Sequence, residues 1–261
     1  MSTQTAPDRF LQRDGARLRW RLEGSGPALV LLHGWALDLA YWDPVVPLLV
    51  PHCTVLRFDR RGFGLSEGRP DIHRNAEDLR AVLDAAAINR AVLVGMSQGA
   101  RLALHFRQLH PLRTRALLLD GAPVLDAELE LPLPEYRRML DTGGPAALQA
   151  GILHHPLMRL RTTDAATRDL LAMMVMRYRA TDLQQQVPRA AAPDLGAITV
   201  PTLIMNGSFD GPVRHEAARR LQAVIPGARR VELVGAGHLA ALDEPAGYAR
   251  EVLAFCGGLP P

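Results

Sequence analysis

The stretch Ala91-Val92-Leu93-Val94-Gly95-Met96-Ser97-Gln98-Gly99-Ala100 runs on into RLALHFRQLHP (101–111). It reads as a buried strand, a sharp turn and a helix. Residues 91–95 are a short apolar run ending in Gly, the pattern of a strand covered on both faces. After Gln98 the apolar residues recur at spacings near three and four, the pattern of a helix with one buried side. Ser97 stands at the junction, in Gly95-x-Ser97-x-Gly99. With 22 Gly in 261 residues that pattern alone is weak. Its placement strengthens it. A strand that turns directly into a helix strains the backbone at Ser97 and lifts its hydroxyl from the carboxyl edge of the sheet. Strand and helix then approach closely, so the residues two before and two after must be small, and both are Gly. A plain helix-capping Ser is the alternative, and the rest of the chain weighs against it.

Similar apolar runs, each ending at a Gly or Asp, occur at PALVLLHG (27–34), CTVLRFD (53–59), RALLLDG (115–121), PTLIMNG (201–207) and RRVELVG (229–235). Helix-like patterns lie between them at 75–88, 98–111, 215–227 and 245–258. Alternating strands and helices predict a doubly wound α/β sheet. RLRWRLEGSG (17–26) alternates apolar residues with arginines and reads as an early antiparallel edge strand. From about Val124 to Gly196 the rhythm breaks. That stretch has no clear strand, several prolines, and five of the eight Met residues. It is expected to be a helical insertion, with residues 1–123 and 197–261 forming the core around it. Most of the methionines are expected to pack its helices onto that core.

A serine hydroxyl needs a base. Of the nine histidines, His238 alone follows an apolar strand within a Gly-rich loop, VELVGAGHLAALDEP. His33 also follows a strand, but its His-Gly context suits a turn. An imidazole base needs an orienting carboxylate. Asp210, in NGSFDGP, follows the strand before that of His238. Asp120 ends the strand 115–120 and is the competing acid. The order Ser97, Asp210, His238 fits the expected chain order of such a site. An oxyanion needs two donors. The backbone N–H of Gln98, at a helix N-terminus, is one. The N–H of Trp35, in the loop after the strand at 27–32, is the other.

The charge balance excludes other classes. The 30 basic residues are all Arg, since the chain contains no Lys, and 27 acids leave a net charge of +3. Without Lys, a lysine Schiff base is excluded. Acids are interleaved with the arginines, unlike the clustered footprint of a nucleic-acid binder, so no nucleic-acid partner is expected. No run reaches the roughly 18 apolar residues that span a membrane. The polar N-terminus lacks the apolar core of a secretory signal, which points to the cytoplasm. Cys53 and Cys256 make neither a disulfide framework nor a metal cluster.

Together these motifs resemble the α/β-hydrolase superfamily, in its compact, cap-bearing group. The resemblance runs from LVLLHGW through FDRRGFGLS, VGMSQGA and NGSFDGP to GAGHLAALDEP. It implies an eight-stranded, mostly parallel sheet, a helical cap at 124–196 inserted after the sixth strand, and an acyl-enzyme mechanism without a cofactor or metal. Ser97 becomes the nucleophile, Asp210 the acid and His238 the base, with Trp35 and Gln98 as oxyanion donors. The arginines of Asp59-Arg60-Arg61-Gly62 are then scaffold. Ser at the elbow differs from the Asp of haloalkane dehalogenases and epoxide hydrolases. Leu239 stands where carbon–carbon bond hydrolases of the fold carry Trp. The chain looks most like pimeloyl-carrier-protein methyl ester carboxylesterases and 3-oxoadipate enol-lactonases, which implies a small ester or lactone substrate. Perhydrolysis, haloperoxidase or cofactor-free oxygenase chemistry, and a non-catalytic ligand receptor, are the alternatives. Eight arginines of the insertion, among them Arg161, Arg177, Arg179 and Arg189, are candidates for a carboxylate or an acidic carrier protein, although nine acids in the same stretch favour a solvated face.

Overall fold

Eight strands form one sheet in the order β1-β2-β4-β3-β5-β6-β7-β8. They are β1 (Arg9–Arg13), β2 (Ala16–Glu23), β3 (Ala28–Leu32), β4 (Thr54–Phe58), β5 (Ala91–Met96), β6 (Thr114–Asp120), β7 (Thr202–Gly207) and β8 (Arg229–Leu233). The helices are α1 (Val46–Leu49), α2 (Ile72–Ala85), α3 (Gln98–Leu109), α4 (Leu133–His154), α5 (Ala165–Arg177), α6 (Pro212–Val224), α7 (Ala240–Asp243) and α8 (Pro245–Gly257). The computed structural model describes residues 6–123, 131–183 and 193–260. Val124, where the insertion is expected to begin, and Arg189 lie outside the described residues.

Every apolar run read as a strand forms one. The strands are buried on both faces because alternate residues feed two cores. Val92, Val94 and Met96 of β5 join one core with α1 and α8, while Ala91 and Leu93 join the other with α2, α3 and α6. Leu29 and Leu31 of β3 divide from Val30 and Leu32 in the same way. Burial of each such aliphatic side chain contributes about 1.5–3 kcal/mol. The sheet is parallel from β4 through β8, and antiparallel only where β2 meets β1 and β4.

The stretch read as an edge strand at 17–26 forms an antiparallel strand over Ala16–Glu23, but not at the edge. β1 covers it, with Arg13 opposite Ala16. Asp14 and Gly15 make the two-residue turn with φ of 45° and 72°, the conformation that matches the twist of a tight hairpin. Two helices start earlier than the apolar pattern implies. Asp71 caps α2 by accepting from the N–H groups of His73 and Arg74. Pro212 opens α6, where its fixed φ suits the first helical position.

Between β6 and β7 the described residues contain helices and no strand. α4 is kinked at Gly144, immediately before Pro145. α4 and α5 pack on the core through Leu148, Ile152, Leu171 and Val175. The methionines there divide: Met158 and Met174 are buried, whereas Met173 and Met176 are exposed. Among the described residues no helix is long and apolar enough to cross a membrane.

The turn after β4 is scaffold. The buried Asp59 carboxylate accepts from Nε and Nη2 of Arg19 and from the N–H groups of Leu39 and Leu65. Arg61 forks onto both oxygens of Asp78 at 2.7 Å. These bonds hold the loops after β3 and β4 side by side, next to the β3–β5 crevice where the direction of the crossovers reverses. Open α/β sheets bind ligands at that point.

Candidate active site

Ser97 follows the last residue of β5 and precedes the first residue of α3, with φ 52° and ψ −114°. A strand-to-helix reversal in one residue strains the backbone into such a conformation. Its N–H donates to the carbonyl of Asp120 at 2.7 Å, which pins the elbow to the end of β6. The flanking glycines are required by contact. A Cβ on Gly95 would stand 2.5 Å from the amide nitrogen of Ala100, and one on Gly99 would stand 2.6 Å from the carbonyl carbon of Leu32. Small residues there let β5, α3 and the end of β3 meet.

The loop after β3 approaches from the other side. A Cβ on Gly34 would lie 3.5 Å from the Ser97 Cβ. The Gly34 carbonyl accepts from His33 Nδ1 at 2.8 Å and from Arg60 Nη2 at 2.8 Å. His33 Nε2 in turn accepts from the N–H of Arg60 at 3.0 Å. In a trans peptide the N–H points opposite to the C=O. Anchoring the Gly34 oxygen on the scaffold side therefore turns the Trp35 N–H the other way. Burial, helped by the charge of Arg60, holds the His33 imidazole well below its ordinary range, which keeps it neutral in this role. His33 and Arg60 thus support the peptide expected to donate, a contact between residues 27 positions apart that no local pattern reveals. The Trp35 indole Nε1 donates to Asp182 at 2.8 Å, and its ring stacks on Tyr136 with centroids 5.5 Å apart. Both partners belong to the segment between β6 and β7.

His238 follows β8 and Asp210 follows β7. Nδ1 of His238 lies 3.1 Å from Oδ1 and 3.2 Å from Oδ2 of Asp210. With the Nδ1 proton directed at the carboxylate, Nε2 carries the free lone pair. Asp210 also accepts from Asn206 Nδ2 at 3.2 Å and from its neighbour's N–H, that of Gly211, at 2.9 Å. Burial opposes its charge, yet His238, Asn206 and Arg214 together hold its carboxyl below the usual carboxylate range. Gly121, just after β6, packs against the imidazole: a Cβ there would stand 2.9 Å from its Nδ1. Ser97, Asp210 and His238 are 6%, 6% and 5% exposed. The Ser97 hydroxyl makes no hydrogen bond to His238 among the described residues, the loose arrangement common before a substrate is bound.

Of the two acids at strand ends, His238 bonds to Asp210 and not to Asp120. Both carboxyl oxygens of Asp120 are buried and without a hydrogen-bond partner among the described residues. Burial and the neighbouring charge of Asp210 push the Asp120 carboxyl well above its ordinary range. It is a buried carboxyl beside the site.

Residues 29–251 match the alpha/beta hydrolase family. The chain belongs to that family. This alpha/beta hydrolase is 28% identical to a pimeloyl-[acyl-carrier protein] methyl ester esterase of Pectobacterium atrosepticum, over 92% of the chain and 98% of that protein. It is 29% identical to a 2-hydroxy-6-oxo-2,4-heptadienoate hydrolase of Pseudomonas putida, over 89% of the chain and 90% of the relative. The crystal structure of the enol-lactonase from Burkholderia xenovorans LB400 superposes with a TM-score of 0.81 at 26% identity, covering 95% of this chain and 100% of that one.

Several arginines of the insertion in this alpha/beta hydrolase are committed to the protein itself. Arg177 Nη1 donates to the buried Asp38 at 3.2 Å. Arg179 donates to the carbonyl of Ser66. Arg161 lies over the ring of Phe209, 4.1 Å from its centroid.

Proposed function

We propose that this alpha/beta hydrolase cleaves a carboxylic ester or lactone of a small molecule through an acyl-enzyme on Ser97. His238 Nε2 takes the Ser97 proton as the oxygen attacks the carbonyl carbon. Asp210 holds the imidazole in the Nδ1–H form and stabilises the cation that results. The N–H groups of Trp35 and Gln98 receive the oxyanion. The imidazolium gives its proton to the departing alkoxide, and His238 then activates the water that releases the acid.

The observation that carries this reading is the Asp210–His238 pair at the carboxyl edge, two and three strands from a Ser held at positive φ. The esterase and enol-lactonase names of the relatives point to the same bond class. Residues 124–196 act as a cap over the site, with Trp35 to Asp182 and Arg177 to Asp38 as its fastenings.

A fluorophosphonate probe tests the assignment directly, because it phosphonylates only an activated serine. After digestion, the adduct is expected on the peptide that contains Ser97. A folded protein that takes up no probe, or takes it up at another serine, overturns the reading.

A further inference from the structure

Asp243 closes α7, a helix too short to need its carboxylate. The C-terminal end of a helix carries partial negative charge, so an acid there gains nothing from it. Asp243 is 8% exposed, and among the described residues the donors to its side chain lie outside α7. Oδ2 accepts from the N–H of Gly237, the residue before His238, at 2.8 Å. Oδ1 accepts from the N–H groups of Arg161 at 2.6 Å and Thr162 at 3.1 Å. One oxygen thus grips the loop of the histidine, and the other grips the segment between α4 and α5.

Two further contacts join the same parts. A Cβ on Gly237 would lie 3.3 Å from the side-chain Cγ of Arg161 and 3.6 Å from the backbone oxygen of Arg159, so this segment packs against the His238 loop. The Arg161 guanidinium covers Phe209, which is 59% exposed and immediately precedes Asp210. Residues 161–162 therefore touch the loops that carry both Asp210 and His238.

We infer that Asp243 is a positioning residue, fixing the His238 loop to the inserted segment at Arg161 and Thr162. This rests on the reading of His238 as the base. Each oxygen serves a different side, so the bridge needs two acceptors. Asparagine supplies one oxygen and leaves one side unheld; alanine releases both. A loop freed by about 1 Å misplaces the imidazole relative to Ser97, an error that costs up to about 100-fold in rate.

The test compares Asp243→Asn, Asp243→Ala and His238→Ala on p-nitrophenyl acetate. Folding is followed by circular dichroism, and the downfield imidazole N–H resonance of the Asp210–His238 pair by proton NMR. For Asp243→Ala, kcat is expected to fall about 10- to 100-fold with KM changed far less, and the resonance to broaden or shift. Asp243→Asn, nearly the same in shape, is expected to fall between Asp243→Ala and the parent. If Asp243→Ala does not fold, Asp243→Asn decides. Folded variants with the parent kcat and an unmoved resonance overturn the proposal. Retained turnover in His238→Ala overturns instead the reading of His238 as base.

Discussion

His238 Nδ1 sits 3.1 Å from Oδ1 of Asp210 although α6 and β8 intervene in the chain. The pair forms because β7 and β8 are parallel neighbours whose carboxyl ends open on the same edge. Asp210→Asn removes the charge while leaving the shape. It is expected to lower kcat/KM by about 10⁴-fold, since the amide stabilises the wrong imidazole tautomer. Steady-state kinetics with p-nitrophenyl acetate measure this. A loss under about tenfold means that Asp120 substitutes for it. The lowered Asp210 pKa also contributes stability that is present above its unfolded value, near pH 4, and is lost as pH falls through the folded value.

Asp120 is predicted to behave in the opposite sense. Its folded pKa is raised, chiefly by burial and then by Asp210. The native state therefore keeps a proton that the unfolded chain gives up above about pH 4. Stability attributable to this group falls as pH rises from there toward the folded value. Asp120→Asn removes that cost. Its advantage in thermal midpoint over the parent is expected to grow as pH rises above about 4, with turnover retained. Equal midpoints across that range contradict the assignment.

Gly99→Ala brings a methyl group against backbone, 2.6 Å from the carbonyl carbon of Leu32 and 2.9 Å from the His33 oxygen. Backbone does not yield as a flexible side chain does. The substitution is expected to cost about 3 kcal/mol in urea unfolding. It also displaces His33-Gly34-Trp35 from the elbow, so turnover should fall even where the protein remains folded. An unchanged unfolding midpoint means that the elbow has slack.

The strand ends were legible because parallel strands buried on both faces are continuous apolar runs, and chemistry-bearing residues stand just beyond them. That rule singled out Ser97, Asp210, His238 and Trp35 as candidates from the chain alone. It missed β1, where the adjacent Phe10 and Leu11 are the only apolar residues and give no alternation, although Asp14-Gly15 is a hairpin signal. It placed the start of α2 a turn late because the cap at Asp71 lies outside the apolar pattern. The support of the Gly34 peptide by Arg60, and the bridge made by Asp243, were not readable. Asp243 meets Arg161 across 82 positions of sequence, and nothing in either stretch names the other.

The most direct test of the account is the turnover of p-nitrophenyl acetate by purified Ser97→Ala, alongside circular dichroism of the same sample. The variant keeps the elbow's backbone demand and loses only the hydroxyl. A folded protein whose kcat has fallen by at least about 10⁴-fold is the expected result. A folded Ser97→Ala protein that turns over ester at the parent rate contradicts the account.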